Sequence, residues 1–230
     1  MHILVIDGGH VEAEFRAKFG PGHAYVFLGG GGGRMGISPP QQKAIEEAVS
    51  VTDVAFCFAD INNSTTTLGH FLLPVVFPVF AEILWDDLRG ITYGMDTATF
   101  GFCGLPTLLN RPLLEVSLYH EADREKLAET CAALATDYRV VADRVGLVTP
   151  RVICQIINEA YYTVQEGTAS RADVDLGMKL GTNYPHGPFA WAAAIGIQRV
   201  YAVLEALWTD THDGRYKVCP LLKKEALTGS

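Results

Sequence analysis

No basic run interleaved with aromatic residues occurs in this 230-residue chain, and its formal charge is −8, from 26 acidic and 18 basic side chains. Nucleic acid is therefore not an expected partner. An anionic ligand would need a local basic or backbone-donor site. The five cysteines, Cys57, Cys103, Cys131, Cys154 and Cys219, include no Cys-x-x-Cys pair. That argues against a zinc site and against a disulfide framework, and leaves reduced, mostly buried thiols as the expectation. His-x-x-x-His and His-Glu-x-x-His are absent as well, so no metal is expected. The most apolar segment, FLLPVVFPVFAEILW (71–85), is broken by Pro74, Pro78 and Glu82. It falls short of the roughly 20 residues that a membrane helix needs. MHILVIDGG has neither the basic leader nor the apolar length of a signal peptide. Together these absences give the expectation of a soluble, cytoplasmic protein.

What is present is apolar: 49% of residues are hydrophobic, enough for one large domain or two modest ones. HILVI (2–6), AYVFL (24–28), VAFCFA (54–59), LLEVSLY (113–119) and YRVVADR (138–144) read as strands, and GITYGMDTATFGFCG (90–104) as one or two more. Helix signals lie between them. Pro39-Pro40 opens QQKAIEEAVS, and EADREKLAETCAALA (121–135) is amphipathic, with Leu127, Cys131, Leu134 and Ala135 on one side. The alternation predicts a parallel-type α/β sheet. The glycine run Gly29–Gly33 has no Walker spacing and reads as a loop, and NNSTTT (62–67) reads as a solvated turn.

Beyond residue 145 the pattern is helical throughout. Pro150 suits a helix start, and Val152, Ile153, Ile156, Ile157 and Ala160 form an apolar stripe. Ser170 and Asp173 make a capping pair, and Pro185, Gly187 and Pro188 turn the chain into a last helix running to about Trp208. That helix, FAWAAAIGIQRVYAVLEALW, is apolar nearly all round. It is expected to bury itself against a second copy of the chain, with Ala190, Ala192, Ala193, Ala194 and Gly196 allowing close approach. Trp85, Trp191 and Trp208 read as core or interface anchors.

The succession in residues 146–205 — helix start, Asn-Glu-Ala, Ala-Ser-x-x-Asp-Val-Asp, Tyr-Pro-x-Gly-Pro, long apolar helix — closely resembles the C-terminal domain of the 3-hydroxyacyl-CoA dehydrogenases. The likeness is strong from about Gly101 onward and weak before it. It implies a shortened Rossmann-like α/β domain (1–145) followed by an all-α dimerisation domain (146–230). NAD is the family cofactor, and a homodimer the family assembly. The family's GxGxxG falls on Asp7-Gly8-Gly9-His10-Val11-Glu12, which keeps only its middle glycine, Gly9; Gly8 and Gly9 are the vestigial cofactor-binding positions. Asp7 and Glu12 would repel a pyrophosphate, and Glu12 would also fill the space where the first helix packs on the strand. No cofactor is expected to bind tightly.

The same resemblance places the catalytic histidine at Cys103 and its orienting glutamate at Glu115. The helix-start Asn falls on Pro150, with Arg151 kept. Arg151 and His186 are assigned to the substrate cleft. A thiol is a poor substitute for imidazole, since it titrates near ~8.5 rather than ~6.5, and loss of a general base costs ~10²–10⁴ in rate. The expectation is a divergent homologue impaired in NAD binding and hydride transfer that retains a cleft for acyl-CoA or another acyl ligand. The alternatives are an enzyme with altered chemistry through Cys103 and Glu115, and a structural, oligomer-forming protein.

Overall fold

The computed structural model describes residues 1–29, 39–59, 75–88 and 97–229. Gly30–Gly33 of the glycine run and the NNSTTT tract lie outside the described residues. Seven strands form one sheet: β1 (His2–Ile6), β2 (Ala24–Leu28), β3 (Val54–Cys57), β4 (Val79–Glu82), β5 (Thr99–Phe102), β6 (Leu113–Leu118) and β7 (Asp137–Val141), in the order β2-β1-β3-β4-β5-β6-β7. The first five are mutually parallel; β6 is antiparallel to β5, and β7 is parallel to β6. Helices α1 (Glu12–Phe19), between β1 and β2, and α3 (Arg124–Ala133), between β6 and β7, are crossovers of the kind that parallel neighbours need. Helix α2 (Pro39–Val49) precedes β3.

Because side chains alternate along a strand, β1 feeds two cores. Ile3 and Val5 pack with Phe15 and Phe19 of α1 and with Leu127 and Leu134 near α3, around an aromatic group of Phe56, Phe80, Phe100 and Phe102. The Phe56 and Phe80 rings, registered partners on β3 and β4, stack with centroids 4.6 Å apart. Leu4 and Ile6 point the other way, with Ala55, Cys57, Val79 and Ala81, and this second core continues into the helical half through Cys154, Ile157, Trp191, Val200, Leu204 and Leu207. The residues before and after position 145 thus share one apolar core, and the helical half covers one face of the sheet.

That half consists of α4 (Thr149–Gln165), α5 (Arg171–Gly181), α6 (Pro188–Ile195), α7 (Ile197–Thr211) and α8 (Pro220–Thr228). The capping pair forms: Ser170 Oγ accepts from the Asp173 amide at 3.2 Å and donates to Asp173 Oδ2 at 2.6 Å. Asp175 then caps the next helix, accepting from Phe189 N at 2.8 Å and Ala190 N at 3.0 Å. Buried Asn158 pins the C-terminal segment, donating to Lys217 O and accepting from Cys219 N.

Three details correct the sequence reading. The single long helix is two helices, bent by 97° at Gly196, whose φ of +94° only glycine adopts without strain. Much of its apolar surface is covered within this chain: Trp191, Ala192, Ile195, Val200, Val203, Leu204 and Leu207 are all buried. Ala135 lies past the end of α3 with φ +52° and is exposed, because the helix stops in a left-handed turn before reaching it. On α4, Val152 is 52% exposed while Ile153 and Ile157 are buried, so Val152 stands off the core-facing stripe. Among the described residues, no single helix is long and apolar enough to cross a membrane.

Candidate functional site

In an open parallel sheet, ligands are received outside the carboxyl ends of the strands. Here those ends are the turn after β1 (Asp7–His10), Phe58-Ala59 after β3, Glu82 at the end of β4, and Cys103-Gly104 after β5. They are packed closely against one another. Phe58 is 4% exposed and lies across the strand ends. A Cβ on Gly8 would stand 2.7 Å from its ring, and one on Gly104 would stand 2.5 Å from it. The ring meets Phe102 edge-on at 5.3 Å and His10 at 5.6 Å. Close approach to Phe58, together with Val5 at Gly8 and the Glu82 carboxyl at Gly104, is therefore what requires glycine at these two positions.

The positions carried over from the family can be located one by one. Asp7 takes a left-handed φ of +58°. Gly8 is the crowded glycine of the turn, whereas Gly9, which begins a single 3-10 turn ahead of α1, has nothing within 4 Å of where a Cβ would be. Glu12 does not fill the space between helix and strand. Its side chain is 44% exposed and pairs with Arg16 one turn later at 2.8 Å, so α1 packs through Phe15 and Phe19 instead.

Cys103 is buried at 4% exposure. Burial pushes its thiol well above the ordinary range; Glu82, Glu115 and Cys154 push it further, against a hydrogen bond involving the Leu105 backbone. Such a thiol stays protonated near neutrality and is neither base nor nucleophile. Glu115, on β6, does not turn toward a base. Its Oε2 accepts from Thr149 N at 3.0 Å, and its Oε1 from Val148 N, so it caps α4 at the point where the helical half begins. A carboxylate at a helix N-terminus satisfies free amides and meets the positive end of the helix dipole.

Arg151 is likewise engaged inside the helical half. It donates to Val145 O at 2.7 Å, to Leu147 O at 3.3 Å and to the Tyr216 hydroxyl. His186 is half-buried in the turn before α6, with its ring 5.7 Å from that of Trp191. Of the four non-glycine positions carried over, Cys103 lies within electrostatic reach of Glu115, and Glu115 and Arg151 bind the N–H and the C=O of the same Leu147–Val148 peptide; His186 sits in the turn before α6 beside Trp191.

The strand ends hold a polar group that the sequence reading passed over. Glu82 is fully buried, and its side chain faces Arg199 in the first turn of α7, with Nη1 3.8 Å from Oε2. Oε2 also accepts from Ala59 N at 3.0 Å. Desolvation raises the Glu82 carboxyl to about 7, even though Arg199 and the amides of Ala59 and Gly104 favour its charged form. His10, at the rim, is held below its ordinary value by desolvation and then by the Arg199 charge, against the hydrogen bond to Asp7 O. The available signal was a lone carboxylate at the end of an apolar strand, the one place in a parallel sheet where a buried charge sits at the ligand side. Arg199 carried no signal of its own, because the bend at Gly196 is what turns the first residues of α7 toward the strand ends. Among the described residues, no three His, Cys, Asp or Glu side chains come together as a metal site.

A mostly parallel sheet whose strand ends face a helical half sealed onto one sheet face defines a Rossmann-like α/β unit followed by a helical one. Residues 146–230 match the family model of the 3-hydroxyacyl-CoA dehydrogenase C-terminal domain. The chain belongs to the 3-hydroxyacyl-CoA dehydrogenase family. It is similar to the probable 3-hydroxybutyryl-CoA dehydrogenase of Bacillus subtilis (strain 168), with 31% identity over 196 residues, covering 84% of this chain and 57% of that protein. It is also similar to the 3-hydroxyadipyl-CoA dehydrogenase of Escherichia coli (strain K12), with 44% identity over 90 residues, 39% of this chain and 19% of that protein. The crystal structure of (S)-3-hydroxybutyryl-CoA dehydrogenase from Ralstonia eutropha shares the fold, with a TM-score of 0.68 at 20% identity, over 99% of this chain and 94% of that one. The chain spans 57% or less of the length of both curated relatives.

Proposed function

We propose that this chain is a divergent 3-hydroxyacyl-CoA dehydrogenase homologue that does not take NAD in the family manner, does not carry out the family's hydride transfer, and receives an acyl-CoA or another acyl ligand. The observation that carries the reading is the turn after β1, where Asp7 and Glu12 stand at the first and last glycine positions of the family's phosphate-binding turn. A pyrophosphate approaching at Gly9 would meet like charge from both carboxylates. This turn does not fit the cofactor. The histidine position supports the same reading, because the buried Cys103 thiol holds its proton and removal of a general base costs ~10²–10⁴ in rate. The acyl ligand is inferred from what the relatives' names say they act on. The assembly proposed is a homodimer in the cytoplasm.

The reading through Cys103 and Glu115 as altered catalytic groups has less support, since Glu115 is committed to capping α4. A role in assembly alone draws on exposed apolar side chains of the helical half, with Leu180 78% and Leu176 57% exposed. Fluorescence titration with NADH separates these readings from a working dehydrogenase. No saturable binding is expected, and binding near micromolar would defeat the proposal. A thermal-shift series with acyl-CoAs should raise the melting temperature, as any ligand selective for the folded state must.

A further inference from the structure

Two buried polar atoms at the strand ends make no well-aligned hydrogen bond: Oε1 of Glu82, beside the Gly104 amide, and Nη1 of Arg199. Each such atom carries a desolvation penalty that a partner would relieve. They belong to the same ion pair, whose 3.8 Å separation is long for a direct hydrogen bond. One is an acceptor and the other a donor, so the group that satisfies both must accept from the guanidinium while donating to the carboxylate. A hydroxyl does this with one oxygen atom. A second carboxylate would meet Glu82 with like charge, and an ammonium would meet Arg199 likewise.

The walls agree with a small polar group entering from one side. Glu82 is completely covered, with Gly104 and Phe58 beside it, while the Arg199 side chain keeps 17% exposure. Gly104 places no side chain against Oε1, where a Cβ would lie 2.7 Å from that oxygen. We propose that Glu82 and Arg199 form the polar subsite of this crevice, receiving the hydroxyl of a short hydroxyacyl ligand, with the hydroxyl donating to Glu82 Oε1 and accepting from Arg199 Nη1. This rests on the acyl-ligand reading above and assigns the recognition of its hydroxyl to two residues outside the inherited Cys103–Glu115 positions.

Calorimetric titration with 3-hydroxybutyryl-CoA and with butyryl-CoA, which lacks only the hydroxyl, tests it. Hydrogen bonds to charged partners contribute enough that the hydroxy compound should bind about tenfold to a hundredfold more tightly. In Glu82→Leu and Arg199→Met, each checked for a cooperative melt, that preference should fall to about twofold or less. If the two ligands bind the unaltered protein equally, only a resident water fills the gap and the proposal fails, while the acyl reading stands. If neither ligand binds, both fall. Preference retained in a folded variant also overturns the proposal, and should the variants not fold, the ratio in the unaltered protein decides.

Discussion

A carboxyl group held at about 7 by burial makes folding sensitive to proton concentration in a way that can be worked out in sign. The folded state binds the Glu82 proton more tightly than the unfolded chain does. Its favourable contribution is therefore complete below the unfolded value of 4.5 and is lost as pH rises toward 7. Glu82→Gln removes this dependence. The difference in unfolding free energy between variant and unaltered protein should shift by roughly 1–3 kcal/mol in favour of the variant from pH 4.5 to 7.5, measured by urea titration at several pH values. A flat difference would show that the carboxyl titrates normally. Phe58 makes the complementary case. Phe58→Ala should cost about 3–5 kcal/mol of stability by emptying the space between Gly8 and Gly104, read as a lower urea midpoint. An unchanged midpoint would show that the ring is not packed between the strand ends.

Among the elements, α4 and the α6–α7 bend show how single residues fix larger pieces. Glu115 is the side chain that caps α4, since no side chain of the neighbouring Val148 does so. Glu115→Ala should destabilise the protein by about 0.5–2 kcal/mol, seen as a lower denaturation midpoint with an unchanged slope. Glu115 was legible in the sequence as a position that the family resemblance singles out, but its use was not, because which donor a carboxylate meets depends on where β6 ends in space. Gly196 was read as a small residue permitting close helix contact, yet its positive φ is what breaks the helix. Nothing lies within 4 Å of a Cβ there, so Gly196→Ala tests backbone strain alone. A loss of about 1–3 kcal/mol is expected, with no added steric term.

The whole molecule folds around a core that runs from the sheet into the helices, so the two halves should unfold together. A single transition by both circular dichroism and tryptophan fluorescence is expected; two separated transitions would contradict the shared core. Assembly is judged at the same scale. Val152, Leu176, Leu180 and Leu227 are each more than half exposed on helices of the second half, and the proposed homodimer should sediment at twice the 25.0 kDa of one chain. A mass of one chain at micromolar concentration would remove that proposal.

Local pattern alone determined the alternation of strands and helices, the change to an all-helical second half and the Ser170 cap. Those features depend on periodicity, turn chemistry and short-range spacing, all of which are written within a few residues of one another. Only the tertiary structure decided that Phe58 packs against Gly8 and Gly104, that Glu115 faces the α4 amides, and that Glu82 meets Arg199, 117 positions further along the chain. Such pairings are set by strand order and by one glycine-centred bend. A buried charge gains or loses its meaning from whatever the fold places beside it, and no local pattern records that neighbour.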